Sequence, residues 1–303
     1  MNSRTTGGIA RAFAAAAISG VSVFVNGYGV HAVPDATVYT TTKNLVAAVL
    51  LVALLALVAA ARGTSRPVSL RRPQWMMLVA VAVIGGSVPF VLFFEGLARS
   101  ASPQAAFLHK TLVLWVAVLA IAVLHERLQW AHWVAIGLLV VGQVGLAGGT
   151  PGGLGRPELM ILAATLLWAV EVVVAKLLLA SLSSWTVAVA RMTLGSVVLL
   201  GWVAWKGDLS LLTSLDAAQL KWVLLTGALL AAYVATWFAA LERALAIDVT
   251  AVLVLAAPLT TALSTAVQGT PLQPGWLLVL LAGGGLAAWL GWRGRPEPAR
   301  SRA

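Results

Sequence analysis

The sequence predicts an all-α membrane protein in which ten transmembrane helices form two inverted five-helix repeats, with the N- and C-termini in the cytoplasm. Hydrophobic residues make up 60% of the chain and charged residues only 10%, whereas soluble proteins carry about 25% charged residues. Mean hydropathy is +0.95. Apolar stretches long enough to cross a bilayer recur ten times, and the two halves of the chain share a gapless match.

Crossing a bilayer as a helix takes about 20 mostly apolar residues. The predicted spans are 9–30, 37–61, 75–97, 103–124, 130–149, 158–180, 185–205, 220–241, 247–268 and 275–292. The loops between them are too short for a soluble domain. We expect the first repeat to occupy residues 1–149, and the second, which ends in a short basic tail, to occupy residues 150–303.

The repeat is visible where residues 93–129 align with residues 237–273. Eight positions are identical: Phe94/Phe238, Leu97/Leu241, Arg99/Arg243, Leu119/Leu263, Ala122/Ala266, Val123/Val267, Leu128/Leu272 and Gln129/Gln273. Each repeat contains five crossings. Because this number is odd, the second copy inserts into the membrane upside down relative to the first. Many secondary transporters build two equivalent gates around one central site in this way.

The net charge of +10 is explained by topology rather than by nucleic-acid binding. Four loop cations, Arg99, Arg156, Lys206 and Lys221, fall on one side of the predicted spans, and twelve arginines fall on the other. The twelve are Arg4, Arg11, Arg62, Arg66, Arg71, Arg72, Arg127, Arg243, Arg293, Arg295, Arg300 and Arg302. The positive-inside rule then places both termini in the cytoplasm, and we expect a multi-pass protein of the cell (inner) membrane.

Small residues and prolines predict how the helices pack and break. The last span of each repeat carries a ladder of small residues on one face, which allows close packing on another helix or on a second protomer. These ladders are Gly142, Gly145 and Gly149 in span five, and Gly283, Ala287 and Gly291 in span ten. Span three contains Gly85-Gly86 and Pro89, and span nine contains Pro258. Such breaks either border a substrate cavity or are only structural.

Two stretches carry a resemblance to a known family. LLWAVEVVVAK at 166–176 and ARMTLG at 190–195 contain Trp168, Lys176 and Arg191. Residues 94–147 combine a short basic turn, a long span, the acidic-basic pair Glu126-Arg127 and a Gly-rich last helix. In this order the motifs resemble the repeats of EamA-type transporters of the drug/metabolite superfamily.

The resemblance implies a ten-helix bundle with cytoplasmic termini that moves a small metabolite or drug, commonly outward. It implies that helices 1, 3, 4, 6, 8 and 9 surround a central cavity and that helices 5 and 10 are peripheral. The first repeat departs from the pattern, because Ser19-Gly20-Val21 stands where Trp is expected and Lys43 stands where the second repeat has Arg191. Span four lacks the proline of span nine, and Thr270-Pro271 replaces the acidic-basic pair.

Charges at bilayer depth cost about 2.5–3.5 kcal/mol on insertion scales, so each one requires a reason. Glu171 lies near the middle of span six on the same helix face as Trp168. A carboxylate in a partly dry cavity can exchange a proton or bind a cationic group. The alternative is a structural acid that is paired with a cation.

Lys110 and His109 lie about two turns into span four. We expect Lys110 to hold a substrate carboxylate or to pair with Glu171 in the resting state. His109 is either a proton-coupling group or a neutral histidine that bonds between helices. Lys43 and Arg191 lie near the starts of their spans, and we expect them to be anchors whose charged ends reach the membrane surface.

Six further residues are predicted to line the cavity. Asn26 and Tyr28 lie where two glycines loosen span one, and aromatic rings lie deep in other spans, where they could wall a pocket for a flat or cationic solute. The set is Asn26, Tyr28, Phe107, Tyr233, Trp237 and Pro258.

The sequence therefore predicts a secondary transporter, most simply an exporter of an amino acid or a related metabolite, that works by alternating access with proton coupling as one option. The alternative is a non-transporting membrane protein such as a lipid scramblase or an accessory subunit. No phosphate-binding loop precedes a helix, and no catalytic or metal-ligand cluster is apparent. We expect no enzyme activity, cofactor or nucleic acid, and a monomer or homodimer in the bilayer that binds a small-molecule substrate.

Overall fold

The computed structural model describes residues 3–61, 69–100, 102–146, 148 and 155–293, and these residues form helices and short connections only. The fourteen helices in this part of the chain are α1 (Ser3–Ala32), α2 (Ala36–Ala61), α3 (Arg72–Ile84), α4 (Val88–Leu97), α5 (Ser102–Lys110), α6 (Leu112–Ala122), α7 (Trp130–Leu146), α8 (Arg156–Leu178), α9 (Ser184–Lys206), α10 (Leu209–Thr213), α11 (Ala217–Leu241), α12 (Ala246–Leu253), α13 (Ala256–Gln268) and α14 (Pro274–Arg293). Outside the described residues lie Arg62, Arg66, Arg295, Arg300, Arg302, Gly149 and the side chain of Arg4.

Eight segments are long and apolar enough to cross a membrane, which confirms a helical, multi-pass membrane fold. They are α1, α2, α3 with α4, α8, α9, α11, α12 with α13, and α14. Two shorter apolar helices, Phe107–Ala122 and Trp130–Leu146, occupy predicted spans four and five.

Local sequence explains where two of the crossing helices begin. Ser183 precedes α9, and its hydroxyl accepts a hydrogen bond from the backbone N–H of Thr186 at 3.1 Å. Asp216 accepts from the N–H of Gln219 at 2.8 Å, and the Gln219 side chain accepts from the Asp216 N–H at 3.1 Å. These side chains satisfy N–H groups that have no partner inside the helix.

Three of the predicted spans are interrupted, and two of the interruptions occupy the same place in the repeat. Span three breaks at Gly85, Gly86 and Ser87. Span four breaks at Thr111, which aligns with Leu255 in the break between α12 and α13. Pro258 follows that second break in the first turn of α13, where a missing N–H costs little. Thr111 needs no proline, because its hydroxyl bonds to the Leu108 carbonyl at 2.6 Å and competes with the helix.

The small-residue ladders pack α7 against α14 within one chain. A Cβ added at Gly142 would meet Leu280 at 2.7 Å, and one added at Gly283 would meet Leu138 at 3.0 Å. A Cβ added at Gly145 would overlap the Trp276 ring. Of the two packing partners expected from sequence, the structure shows the intrachain one.

Candidate functional site

A cavity of about 480 Å³ lies between the two halves of the bundle. Its lining comes from α1, α2, α4, α5, α6, α8, α9, α11, α12 and α13. Among the described residues, neither α7 nor α14 contributes to it, as the resemblance implies for helices 5 and 10. The helices α2 and α9 were not expected at the cavity, and they contribute Lys43 and Arg191.

The cavity brings together seven of the ten predicted site residues. They are Asn26, His109, Lys110, Trp168, Glu171, Tyr233 and Trp237. Although four different crossing segments carry them, all seven face one central space.

The structure places the other three predicted residues outside this cavity. The Tyr28 ring stacks on Trp222 at 5.8 Å, because it lies two residues from Asn26 and therefore on another face of α1. Phe107 packs beside Leu108 and Ile161 and lines a separate small pocket. Pro258 is half-buried in the first turn of α13, and it shapes the helix break without reaching the cavity.

Glu171 pairs with Arg191 and not with Lys110, whose pairing with Glu171 was one of the two alternatives raised by the sequence. Arg191 donates through Nε to Glu171 Oε1 and through Nη2 to Oε2, the latter at 3.2 Å. The two residues are 4% and 5% exposed. They lie on α8 and α9, two consecutive helices, whereas Lys110 lies on α5.

The helix break at Gly85 completes this pair. Its freed carbonyl accepts hydrogen bonds from Arg191 Nη2 at 2.8 Å and from the Trp168 indole N–H at 3.1 Å. A side chain at position 85 would overlap the Glu171 carboxylate. The glycine pair in span three therefore allows an interrupted helix to approach a buried ion pair, and it supplies a backbone acceptor to it.

Lys43 is 2% exposed, so the expectation that it reaches the membrane surface is wrong, as it is for Arg191. Its ammonium donates to Asn26 Oδ1 at 2.8 Å and lies 3.8 Å from the centre of the Phe94 ring. The same amide oxygen accepts from the Tyr39 hydroxyl at 2.7 Å. No acidic side chain of the described chain forms an ion pair with Lys43.

Aromatic rings form two walls of the cavity. In the first wall, Trp168 lies 5.1 Å from the His109 ring, 5.5 Å from Phe93 and 5.5 Å from Phe90, measured between centres. In the second wall, Tyr233 and Trp237 stack at 5.9 Å between centres. Rings at these separations and tilts pack favourably with one another and with a planar ligand.

Among the residues that the structure describes, the cavity opens at one end of the bundle. We call this end the open end; it comprises residues 33–35, 98–100 and 269–273. Lining residues next to it, His31, Ala98 and Gln268, are exposed. Towards the opposite end, the lining residues Leu112 and Leu253 are buried, at 8% and 6% exposure. They form the floor of the cavity.

Polar contacts between the two halves seal the opposite end. We call it the closed end; it comprises residues 123–129, 179–183 and 242–245. Glu126 is 6% exposed and accepts from the backbone N–H groups of Ala246 at 2.8 Å and Ile247 at 3.3 Å. A carboxylate of the first half therefore satisfies free N–H groups at the start of α12 and faces the positive end of its dipole.

Two further contacts lie beside Glu126. His132 Nε2 is 3.3 Å from Asp248 Oδ1, and its Nδ1 accepts from the Gln129 N–H at 3.0 Å. Lys176 donates to the carbonyls of Leu241 at 2.8 Å and Ala244 at 2.7 Å. Sequence reasoning missed Asp248, although an acid at the second position of a predicted span was a signal that could have identified it.

Gly85→Ala is expected to destabilise the protein, because the new Cβ would overlap the Glu171 carboxylate and disturb its pair with Arg191. Overpacking of this kind costs about 1–3 kcal/mol. Thermal unfolding in detergent measures the effect. Gly201→Ala is the control, since a Cβ there meets open space, and equal melting temperatures of the two variants would contradict the prediction.

Long apolar helices around one polar, ring-lined cavity define a multi-pass membrane protein with an internal site for a small solute. Residues 6–148 and 155–290 each match the EamA-like transporter family, and the chain belongs to that family. The fold is similar to that of a solved crystal structure with a TM-score of 0.73 and 18% sequence identity, which covers 93% of this chain and 98% of the other. No curated protein matches the sequence significantly.

Proposed function

We propose that the protein is a secondary active transporter that exports a small organic metabolite, such as an amino acid or a related compound, by alternating access. Family membership supports transport, and a cavity of about 480 Å³ has the size of a small-molecule site. The observation that carries the proposal is the access to this cavity. It opens at one end of the bundle and is sealed at the other by contacts between the two halves.

The proposed topology has ten crossings in two inverted repeats with cytoplasmic termini. The two shorter apolar helices then cross together with the eight long ones. Arg127, Arg243 and Arg293 lie at the closed end, so the positive-inside rule assigns that end to the cytoplasm. In this orientation the structure is the outward-facing state, from which an exporter releases its substrate. We further propose the cell (inner) membrane as its location.

In the proposed cycle, the halves rock about the cavity and the closed end opens. This movement requires the contacts of Glu126 with Ala246 and Ile247, and of His132 with Asp248, to separate, because these contacts join the two halves. A neutral hydrogen bond contributes about 0.5–1.5 kcal/mol net and a charged one about 1.5–3 kcal/mol. A small set of such contacts holds a gate shut without making it permanent, because water can replace each partner when the end opens.

Counterflow in proteoliposomes tests the proposal. Purified protein is reconstituted and assayed with a panel of labelled metabolites, with and without a pH gradient, against protein-free liposomes. We expect saturable flux of at least one compound above the protein-free level. If a pH gradient of either sign changes that flux at a fixed substrate gradient, transport is coupled to protons.

The same vesicles test the alternative of a lipid scramblase. Fluorescent lipid in the inner leaflet is protected from a membrane-impermeant quencher unless the protein moves it outward. The described cavity lies inside the helix bundle with a buried floor, so we expect no scrambling. Scrambling without metabolite flux would overturn the proposed function, and the absence of both activities would favour an accessory subunit.

A further inference from the structure

The described lining of the cavity has more basic side chains than acidic ones. Lys43, Lys110 and Arg191 contribute three basic groups, whereas Glu171 contributes one carboxylate. A buried charge without a counter-charge is costly, and a site that binds a ligand can leave that charge to be balanced by the ligand. The excess of basic over acidic side chains therefore bears on the charge that the substrate carries.

The single carboxylate is already engaged. Both oxygens of Glu171 accept hydrogen bonds from Arg191, and Arg191 is held further by the Gly85 carbonyl. An ammonium group in the cavity would have to break this pair to reach an acid. A cationic or zwitterionic solute therefore finds no free acidic partner among the lining residues.

The two lysines, in contrast, are without acidic partners in the described chain. Lys43 is 2% exposed and has one neutral oxygen, Asn26 Oδ1, as its hydrogen-bond acceptor. The Phe94 ring face, 3.8 Å away, stabilises the ammonium in part. Because an ammonium has three N–H donors, Lys43 can still donate to a ligand.

The positive groups border the aromatic walls. Lys43 Nζ lies 5.8 Å and the Arg191 guanidinium 5.5 Å from the centre of the Phe90 ring. Phe90 in turn packs against Trp168, which begins the first wall. A ligand whose ring packs against the walls thus places an attached acidic group near these cations.

Resting on the proposed transport function, and narrowing its substrate from amino acids, which are zwitterions, to anions, we infer that the cavity takes a small organic anion, a carboxylate or sulfonate on an aromatic body, in preference to a cation or a zwitterion. The anionic group binds the ammonium groups of Lys43 and Lys110. The ring packs against aromatic side chains that line the cavity, Trp168 and Phe93 in the first wall and Tyr233 and Trp237 in the second.

A set of four ligands with one ring and different charges tests this inference. They are 3-phenylpropionate, its neutral isostere 3-phenylpropanamide, the zwitterion phenylalanine and the cation 2-phenylethylamine. Calorimetric titration of the purified full-length protein at neutral pH measures binding. Charge-assisted hydrogen bonds are worth about tenfold to a hundredfold in affinity, so we expect phenylpropionate to bind at least about tenfold more tightly than the other three.

Lysine variants connect this preference to the named residues. Lys43→Met and Lys110→Met are each expected to weaken phenylpropionate binding about tenfold while leaving phenylpropanamide binding unchanged. Lys221→Met removes the same charge at an exposed position and is expected to change neither. Should Lys43→Met fail to fold, Lys110→Met alone carries the comparison, since Lys110 is only half-buried.

Equal or tighter binding of the amine, the zwitterion or the amide would overturn the inference, as would no binding of phenylpropionate. Counterflow with the permanently charged 3-phenylpropane-1-sulfonate separates this result from the proposed function. Anion binding without any flux would leave the inference standing and overturn transport. Flux of another metabolite without anion binding would overturn the inference and leave transport standing.

Discussion

Glu171→Gln is expected to destabilise the protein by about 3–5 kcal/mol and to abolish most of its transport. The substitution leaves the Arg191 guanidinium at 5% exposure without a counter-charge. The Gly85 carbonyl and the Met192 sulfur remain as acceptors for Arg191, but neither carries a negative charge. Arg191→Met is expected to be milder for stability, because a carboxyl left alone can take up a proton and become neutral.

A double variant separates the structural role of this pair from its role in transport. Replacing a buried ion pair with apolar side chains of similar volume is often neutral or stabilising. We therefore expect Glu171→Met with Arg191→Met to regain the melting temperature of the parent protein. We expect no recovery of flux, since the cavity of the double variant lacks the ion pair that a proton or a substrate anion can separate.

Melting temperatures in detergent and counterflow in proteoliposomes are measured for four proteins. These are the parent protein, Glu171→Gln, Arg191→Met and the double variant. Glu95→Gln is a suitable control, because Glu95 pairs at 2.7 Å with Arg99, which is 61% exposed, and such a pair contributes about 0–1 kcal/mol, while the glutamine oxygen can still accept from the Thr37 hydroxyl. Parental flux in the double variant would show that the pair is structural only. Parental flux in Glu171→Gln, with and without a pH gradient, would remove Glu171 from the mechanism altogether.

Glu126→Ala is expected to open the closed end. The substitution leaves the N–H groups of Ala246 and Ile247 without the acceptor that the first half supplies. An unsatisfied buried donor costs about 1–3 kcal/mol, which the chain avoids by admitting water. Each 1.4 kcal/mol changes the ratio of two populations about tenfold. The population in which this end is open is therefore expected to rise about tenfold to a hundredfold.

Thiol accessibility measures this shift directly, because the chain contains no cysteine. Leu253→Cys places one thiol on the cavity floor, and a membrane-impermeant reagent is applied from the side of the closed end. We expect labelling at this position to be about tenfold faster when Glu126→Ala is also present.

Glu158→Ala is the matched control for this measurement. Glu158 also accepts from a backbone N–H, that of Gly155 at 3.1 Å, but it does so at the start of its own helix α8. It therefore stabilises one helix end without joining the two halves. Equal labelling rates with and without Glu126→Ala would show that this carboxylate does not hold the closed end shut.

The helical membrane fold and the order of its crossings could be read from the sequence. A helix that crosses lipid must satisfy its own backbone and present apolar side chains, so each crossing leaves a continuous apolar stretch in the chain. The predicted span 185–205, for example, lies within α9, which Ser183 begins and Gly207 ends. The boundary between the repeats at residues 149 and 150 stays a prediction.

Individual site residues could be predicted where their depth within a membrane span was enough to place them at the cavity. Glu171, Lys110 and Trp168 lie near the middle or well inside their spans, and all three line the cavity. Lys43 and Arg191 lie nearer to span ends, and depth suggested that they would reach the membrane surface. Both side chains are buried because the helix faces that carry them lie towards the bundle. The apolar residues of α2 and α9 do not form a one-sided pattern, so the sequence does not predict which face that is.

Apolar length and charge placement by themselves determined that this protein is an α-helical membrane protein built from two related halves, because each crossing must meet the same local requirement of lipid. Only the tertiary structure decided that Glu171 pairs with Arg191 rather than with Lys110, and that Glu126 caps a helix of the other half. These contacts join residues on different helices, and the helix break at Gly85 allows α3 to approach the buried pair closely. Partners in space, unlike spans, have no local signature in the chain.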